Sequence, residues 1–219
     1  MSQAPAATTY SLGEEIANSI THGLGAVLAV AGLAVLTGFS VLHGSAELVA
    51  SCAIFGATLI LLYTASTLYH AIPQPRAKRI LRLLDHSAIF LLIAGTYTPF
   101  MLMSLDSALG TTLCILIWCI AAAGIAAQGK LIAKAKWVNA ALYVAMGWVV
   151  VVAIKPLADS VPKGGLALLV GGGLAYTLGT VFYVWKKLPY HHAIWHVFVL
   201  AGSVLHFFAV LFYVIPESV

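Results

Sequence analysis

Seven long apolar segments dominate this sequence and restrict the folds that the chain can adopt. Each segment is long enough to cross, as a helix, a hydrocarbon core about 30 Å thick. Because lipid offers no partners to backbone polar groups, such segments are predicted to be α-helices, which satisfy those groups internally. The segments are Ile20–Leu42, Leu48–Ala71, Leu83–Met103, Leu109–Gln128, Val138–Pro156, Leu166–Trp185 and Ala193–Ile215.

The composition agrees with a location inside a membrane. Hydrophobic residues make up 62% of the 219 residues and charged residues 8%, which leaves too little polar surface to cover a water-soluble domain. The formal charge of +4 is small and the basic residues lie in short loops, so no nucleic-acid partner is expected. We predict an all-α integral membrane bundle of seven transmembrane helices, with residues 1–17 as a cytoplasmic N-terminal segment and residues 18–219 as the transmembrane domain.

The basic residues predict the orientation of the bundle. Nine of the eleven Lys and Arg residues lie in the loops that follow segments 2, 4 and 6. The other two, Lys155 and Lys163, lie on the opposite side. Cytoplasmic loops of membrane proteins carry an excess of Lys and Arg, so the N-terminus is predicted inside the cell and the C-terminus outside.

Several polar side chains inside the apolar segments fall at this same cytoplasmic end. His192 and His196 are four residues apart at the start of segment 7, so they share one face of a helix. Ser66 and His70 have the same spacing at the end of segment 2, and Asp85 begins segment 3. Ionisable residues are costly inside a bilayer, so these are expected to face the bundle and to have partners.

The residue types predict a zinc site. His70, His192 and His196 supply three neutral nitrogens, which suit a catalytic zinc ion with its fourth position open. Such an ion lowers the pKa of bound water towards neutrality. Asp85 would take a proton from that water or orient a ligand imidazole, and Ser66 would bond to the water or stabilise an oxyanion. The plainer alternative for the pair on segment 7 is anchoring of a helix end at the lipid headgroups.

The other intramembrane histidines are given structural interpretations. His206 lies about 15 Å deeper along its helix than His196, too far to share the ion, and is expected to form an interhelical hydrogen bond. His191 is expected to be exposed at the interface. His86 projects away from its neighbour Asp85 and is placed outside the ligand set. His22 is expected mainly to make a structural polar contact, with metal ligation as the alternative.

Three further residue groups carry expectations about packing. Pro99 is predicted to kink the third helix, with Thr96 and Thr98 available to satisfy the freed carbonyls. Gly171–Gly173 is expected to allow close approach of another helix. Trp195 is expected at a membrane interface, where indole rings commonly settle.

The motifs taken together resemble the bacterial hemolysin III family. The matching motifs are Glu15-x-x-Asn18-x-x-x-His22-Gly23, Ser66-x-x-x-His70, Asp85-His86-Ser87 through Gly95-Thr96-Tyr97-Thr98-Pro99, and His192-x-x-x-His196. That family is related to the progestin and adipoQ receptors and, more distantly, to the alkaline ceramidases. The resemblance covers nearly all of the chain after residue 11. It implies a multi-pass protein of the bacterial inner (plasma) membrane with zinc near the cytoplasmic face, in which His70, His192 and His196 match the ligands. Asp85 and Ser66 match the residues beside the metal-bound water.

Three functions are compatible with these features. The leading hypothesis is a ceramidase-like, zinc-dependent membrane hydrolase acting on an amide or ester of a lipid, with Asp85 as the base and Ser66 at the oxyanion. The second is a non-enzymatic sensor of membrane state or a receptor-like regulator, in which zinc only braces segments 2 and 7. The third is a hemolysin-like pore, although no span carries a continuous stripe of charged residues. Membrane lipids are the expected partners in each case.

The predicted orientation can be tested with reporter fusions. A reporter fused after the C-terminal residue is expected to give the external or periplasmic signal, because the basic loops hold the opposite face in the cytoplasm. Fusions in the loops after segments 2 and 4 should give the cytoplasmic signal. A clear cytoplasmic signal from the C-terminal fusion would contradict the orientation.

Overall fold

A computed structural model describes residues 10–131 and 136–216, and this part of the chain is built from helices joined by short connections. Within it, seven helical stretches are long and apolar enough to cross a membrane. The predicted all-α, seven-helix fold is therefore confirmed. The helices are α1 (Leu12–His43), α2 (Ala46–Ala71), α3 (Pro75–Pro99), α4 (Ala108–Leu131), α5 (Lys136–Gly147), α6 (Ile154–Ser160), α7 (Lys163–Val184) and α8 (His191–Ala209).

Two of the helices begin eight residues earlier than the apolar pattern predicted. Helix α1 begins at Leu12 rather than Ile20, and α3 begins at Pro75 rather than Leu83. A capping box starts α1: the Glu14 N–H donates to Ser11 Oγ at 3.3 Å, and the Ser11 N–H donates to the Glu14 carboxylate at 2.8 Å. Apolar patterning marks only the lipid-embedded part of a helix, so residues 12–17 belong to the first turns of α1.

Glycines set how closely the helices approach one another. Helix α1 packs on α2 and α8, α2 packs on α3, and α7 packs on α8. Any Cβ added at Gly172 would collide with the ring of His206, whereas a Cβ at Gly173 would meet nothing within 4 Å. The predicted close approach at Gly171–Gly173 is therefore made at Gly172, opposite α8.

In the third span, the regular α-helix ends at Pro99, where the sequence predicted a kink. Pro99 is the last residue of α3, and a π-helical turn, Phe100–Ser104, follows it. The Thr96 and Thr98 hydroxyls donate to the carbonyls of Leu92 and Ala94, at 2.8 and 2.9 Å. The expectation that they would serve the carbonyl freed by proline is wrong, because each hydroxyl reaches the carbonyl four residues before its own.

The fifth span is interrupted in its middle. Between α5 and α6 lies a 3₁₀ segment, Trp148–Ala153, and Pro156 follows it within α6. Tyr97 of α3 reaches into this interruption. Its Oη accepts the Val150 N–H at 2.7 Å and donates to the Gly147 carbonyl at 2.8 Å. A single side chain thus satisfies two backbone groups where the helical hydrogen bonds are broken.

We expect Tyr97→Phe to destabilise the bundle by about 1 kcal/mol, because it leaves the Val150 N–H and the Gly147 carbonyl without this partner. The measurement is thermal unfolding of the protein in detergent. Tyr213→Phe is the matched control, since no hydrogen bond of the Tyr213 hydroxyl is found among the described residues. Equal stability of the two variants would show that Tyr97 does not support the 3₁₀ segment.

Candidate metal centre

Three histidines from two helices meet at one end of the bundle. His70 lies in the last turn of α2, and His192 and His196 lie in the first two turns of α8. One ring nitrogen from each lies within 4.8 Å of the others, and all three side chains are buried. The structure thus brings together the three residues that the sequence predicted as ligands.

The orientation of His70 is set by a carboxylate. Glu15, in the first turn of α1, has Oε2 2.6 Å from His70 Nδ1, while its Oε1 lies 2.6 Å from Lys78 Nζ. A carboxylate accepts hydrogen bonds, so Nδ1 carries the ring proton and Nε2 keeps its lone pair. His70 Nε2 is buried and has no hydrogen-bond partner among the described residues. The arrangement is that of a metal-binding histidine held by an outer carboxylate.

The orientation of His196 is set by the backbone of α1. His196 Nδ1 lies 3.2 Å from the carbonyl oxygen of Asn18 and 3.2 Å from Thr21 Oγ1. Because a carbonyl only accepts, Nδ1 is again the protonated nitrogen and Nε2 the free acceptor. His196 Nε2 is also buried and has no partner in the described part of the chain. Two lone pairs left without donors inside a lipid-embedded bundle fit a metal ion bound by neutral imidazoles.

Helix α1 therefore supplies partners of the ligand residues that the sequence analysis did not assign. Glu15 and Asn18 hold the rings of His70 and His196, and His22 stacks on His196 with centroids 3.4 Å apart and planes 12° apart. His22 also meets the ring of Tyr63 edge-on at 5.0 Å. His22 does not belong to the group of possible ligand atoms found among the described residues. The helical spacing of residues 15, 18 and 22 was the signal that one face of α1 lies against the site.

Asp85 and Ser66 lie beside the cluster without joining it. Asp85 is 4% exposed, and its carboxylate lies 3.3 Å from Nδ1 of His86. Ser66 is fully buried, and its Oγ has no hydrogen-bond partner among the described residues. One turn of α2 separates it from His70. Neither residue belongs to the group of ligand atoms, so their predicted roles beside the metal remain predictions.

Three expectations for neighbouring residues are wrong. His191 is buried rather than exposed, because its Nδ1 donates to the Phe182 carbonyl at 2.9 Å and closes the turn between α7 and α8. Trp195 is buried beside His192, with ring centroids 4.8 Å apart, rather than placed at the interface. His206 bonds to the carbonyl of Gly202 within its own helix, not to another helix.

A central cavity lies beside the cluster, next to His22, the residue stacked on His196. It lies between α3, the fifth span, α7 and α8, with His22 and Asp85 at one end and Met101 towards the other. Asp85 and Met101 are about 24 Å apart at the helical rise of about 1.5 Å per residue. Its walls are mainly aliphatic and aromatic, and include Leu62 and Val199. The residues that line the cavity thus extend over most of the thickness of a hydrocarbon core, and they are mainly apolar.

One wall of the central cavity is formed by the interrupted fifth span. Trp148 and Val151 of the 3₁₀ segment line it, and Trp148 Nε1 donates to Thr177 Oγ1 of α7 at 2.9 Å. This hydrogen bond joins the fifth span to α7 on the lipid-facing side, where Trp148 is 36% exposed. A contact between two side chains is therefore part of the lateral wall.

Tyr10, just before α1, covers part of the histidine cluster. The ring of Tyr10 stacks on His192 with centroids 5.1 Å apart, and lies 5.8 Å from His70. Glu14 accepts the Tyr190 N–H at 3.2 Å, which ties the start of α1 to the turn before α8. The histidines are thus enclosed by residues from both ends of the chain.

Known proteins match this chain over nearly its whole length. A family model described as "Haemolysin-III related" matches residues 10–207. "Hemolysin-3" of Bacillus cereus is 46% identical over 210 residues, which covers 96% of this chain and 96% of that protein. "Hemolysin-3 homolog" of Bacillus subtilis (strain 168) is 47% identical over 204 residues, 93% of this chain and 96% of that protein. The human "Monocyte to macrophage differentiation factor" is 29% identical over 203 residues, 90% of this chain and 83% of that protein.

We expect Glu15→Gln to weaken zinc binding by about 10- to 100-fold, because the neutral amide no longer raises the basicity of His70 or fixes its ring as firmly. Glu14→Gln is the matched control: the side chain of Glu14 bonds to Ser11 and Tyr190, not to the histidines. Competition with a chelator of known affinity measures both variants. Equal loss of affinity in the two would show that Glu15 has no particular role at the cluster.

Proposed function

Since this chain belongs to the haemolysin-III-related family, as the resemblance of its motifs predicted, we propose that it is a zinc-dependent integral membrane hydrolase that cleaves a lipid amide or ester. One observation carries the proposal. Asp85 lines one end of an apolar cavity that runs into the bundle, and so does His22, which stacks on His196 of the three-histidine cluster. A reactive centre at the end of an apolar space suits a substrate with a polar reacting group and a long aliphatic chain.

The donor set favours a catalytic ion over a closed structural one. The group of ligand atoms found among the described residues contains three histidines, and three protein ligands with a fourth position open are typical of catalytic zinc. When bound there, zinc would polarise the substrate carbonyl and make a water nucleophilic near neutral pH. Glu15 and the Asn18 carbonyl keep His70 and His196 in the tautomers whose Nε2 lone pairs face the centre.

Asp85 supplies the proton transfers in this proposal. Its carboxylate accepts the proton of the attacking water while the oxygen of that water bonds to the substrate carbonyl carbon. It then returns the proton to the departing nitrogen or oxygen as the carbon–nitrogen or carbon–oxygen bond breaks, so that water is consumed and no other reactant is needed. His86 Nδ1 lies 3.3 Å from this carboxylate.

Ser66 is proposed to assist at the carbonyl oxygen. A buried hydroxyl without a protein partner is costly in an apolar bundle, and a negative charge developing on the substrate oxygen would give its proton an acceptor. The Ser66 hydroxyl is then unpaired in the resting protein, and the free-energy cost of this is offset by a hydrogen bond that forms in the transition state.

The substrate is proposed to approach from the membrane. The cavity walls are mainly apolar, and the Trp148–Thr177 contact is a side-chain link on their lipid-facing side. The excess of Lys and Arg in three loops supports the orientation with the histidine cluster at the cytoplasmic side and the C-terminus outside. For a bacterial chain with these relatives we propose the inner membrane as the location.

A second candidate function is a sensor of membrane state in which the metal only braces the helices. The observation that favours it is the connectivity of the cluster: α2 and α8 supply the nitrogens, and α1 supplies the residues that hold them. Metal bound there would tie three helices together. An apolar cavity supports either of these functions better than it supports a water-filled pore.

The test that separates hydrolase from sensor is Asp85→Asn. The amide keeps the shape of the carboxylate but cannot accept the proton, so the hydrolytic rate is expected to fall by roughly 10²- to 10⁴-fold with zinc and fold retained. Asp106→Asn is the matched control, because Asp106 is an exposed loop residue with φ of 28°, a conformation that Asn also tolerates. Zinc content and release of lipid products are measured by mass spectrometry in both variants.

The alternative outcomes each point to one conclusion. Equal hydrolysis by wild type and Asp85→Asn would remove Asp85 from the mechanism. Failure of the zinc-loaded wild type to cleave any lipid across amide and ester classes would leave the sensor as the supported function.

A further inference from the structure

A second polar group lines the central cavity far from the histidine cluster. His206 is a wall residue of the cavity, 5% exposed, and lies ten residues beyond His196 on α8. At the helical rise of 1.5 Å per residue, the two are about 15 Å apart along the helix axis. The proposed reaction does not use His206, and an imidazole at this depth is costly unless something in the bundle requires it.

The hydrogen bond of His206 shows which ring nitrogen carries the proton and which one is left as a hydrogen-bond acceptor. Its Nδ1 lies 2.8 Å from the carbonyl oxygen of Gly202. The carbonyl can only accept, so Nδ1 carries the proton and the neutral ring keeps an acceptor lone pair on Nε2. No hydrogen bond from Nε2 to the described residues is found. His206 Nε2 is therefore a hydrogen-bond acceptor in the cavity wall for which the described residues supply no donor.

The surroundings of His206 are shaped to hold its ring. Gly172 of α7 leaves room for the imidazole, since any Cβ there would collide with it. Tyr176 stacks on the ring with centroids 5.5 Å apart and planes 24° apart. The Tyr176 hydroxyl lies 2.9 Å from Ser203 Oγ, which also accepts a 2.7 Å hydrogen bond from Tyr63. A phenylalanine would fill the same space without placing a polar nitrogen in the wall.

The opposite wall does not supply the missing donor. Thr96 and Tyr97 of α3 line the cavity at nearly the same depth, since Thr96 lies about 16 Å from Asp85 along the helix. The Thr96 hydroxyl donates to the Leu92 carbonyl, and the Tyr97 hydroxyl donates to the Gly147 carbonyl. Both protons are already used within the protein. The donor for His206 must come from whatever occupies the cavity.

We propose that His206 binds a hydroxyl group on the aliphatic chain of the lipid ligand, about 15 Å from the carbonyl held at the histidine cluster. The inference rests on the proposed function in that it places the lipid carbonyl at the cluster. Between these two polar points the walls are apolar, as at Leu62, Ile93 and Val199. The cavity then selects a chain that is aliphatic along its length and carries one hydrogen-bond donor at a defined position.

The test uses binding rather than turnover. The probes are saturated long-chain fatty acids of one length, each with a single hydroxyl at a different position, and the parent acid without a hydroxyl. Affinity is measured by competition on detergent-purified, zinc-loaded protein. We expect affinity to peak at the position that lies about 15 Å from the carboxyl carbon and to exceed that of the parent acid by about 10-fold, the effect of one hydrogen bond in a buried site.

Two variants assign the preference to His206. His206→Phe is expected to remove the peak while binding the parent acid as well as wild type does. Tyr176→Phe keeps the stacked ring and loses the hydroxyl bonded to Ser203, and it is expected to keep the peak. If His206→Phe keeps the peak, or if Tyr176→Phe alone removes it, His206 is not the recognition group.

Failure of this inference is distinct from failure of the proposed function. A flat positional profile in the wild type overturns the hydroxyl site even if His206→Phe does not fold, and leaves hydrolysis to be judged by the Asp85→Asn assay. A peaked profile in a protein that cleaves no lipid supports the hydroxyl site and contradicts the proposed hydrolase function. No binding of any fatty acid overturns the hydroxyl site.

Discussion

The lipid interior provides no water to the polar groups of a spanning helix, and this constraint accounts for most of the side-chain hydrogen bonds in the bundle. Tyr97 satisfies the backbone where the fifth span is interrupted, and His206 is bonded within its own helix. Against this background, the polar atoms without partners at His70, His196 and Ser66 stand out. His70 and His196 belong to the cluster of three histidines, and Ser66 lies one turn of α2 from His70, so these unpaired atoms occur together at the candidate site.

The negative charge of Glu15, beside the histidine cluster, is paired with the positive charge of a lysine. Glu15 contacts His70 with one carboxylate oxygen and Lys78 with the other, so the carboxylate is paired before any metal binds. Lys78 also lies over the ring of Tyr69, 5.3 Å from its centroid. In the proposed metal site, three neutral imidazoles and a carboxylate already paired with a lysine would leave the full charge of a divalent ion available to act on a substrate carbonyl.

The sequence predicted the seven helices and the meeting of His70, His192 and His196, because segment length, helical spacing and loop charge are all one-dimensional signals. It did not predict the burial of His191 and Trp195 or the bonding of His206 to Gly202. Those outcomes depend on how α7 and α8 turn and pack, which spacing along one helix does not contain. Glu15, Asn18 and His22 were predicted in part. Their spacing showed that they share one face of α1, but it did not show which residues of other helices they contact.

The cover over the cluster has a consequence for kinetics. Tyr10 lies on His192, and Glu14 ties the start of α1 to Tyr190 beside α8. An ion held by the three histidines, as proposed, would leave on this side only after the aromatic ring had moved, and an apolar cavity nearby would solvate it poorly. The exchange rate of such an ion would therefore depend on movement of Tyr10, and would be a property separate from the thermodynamic affinity for metal.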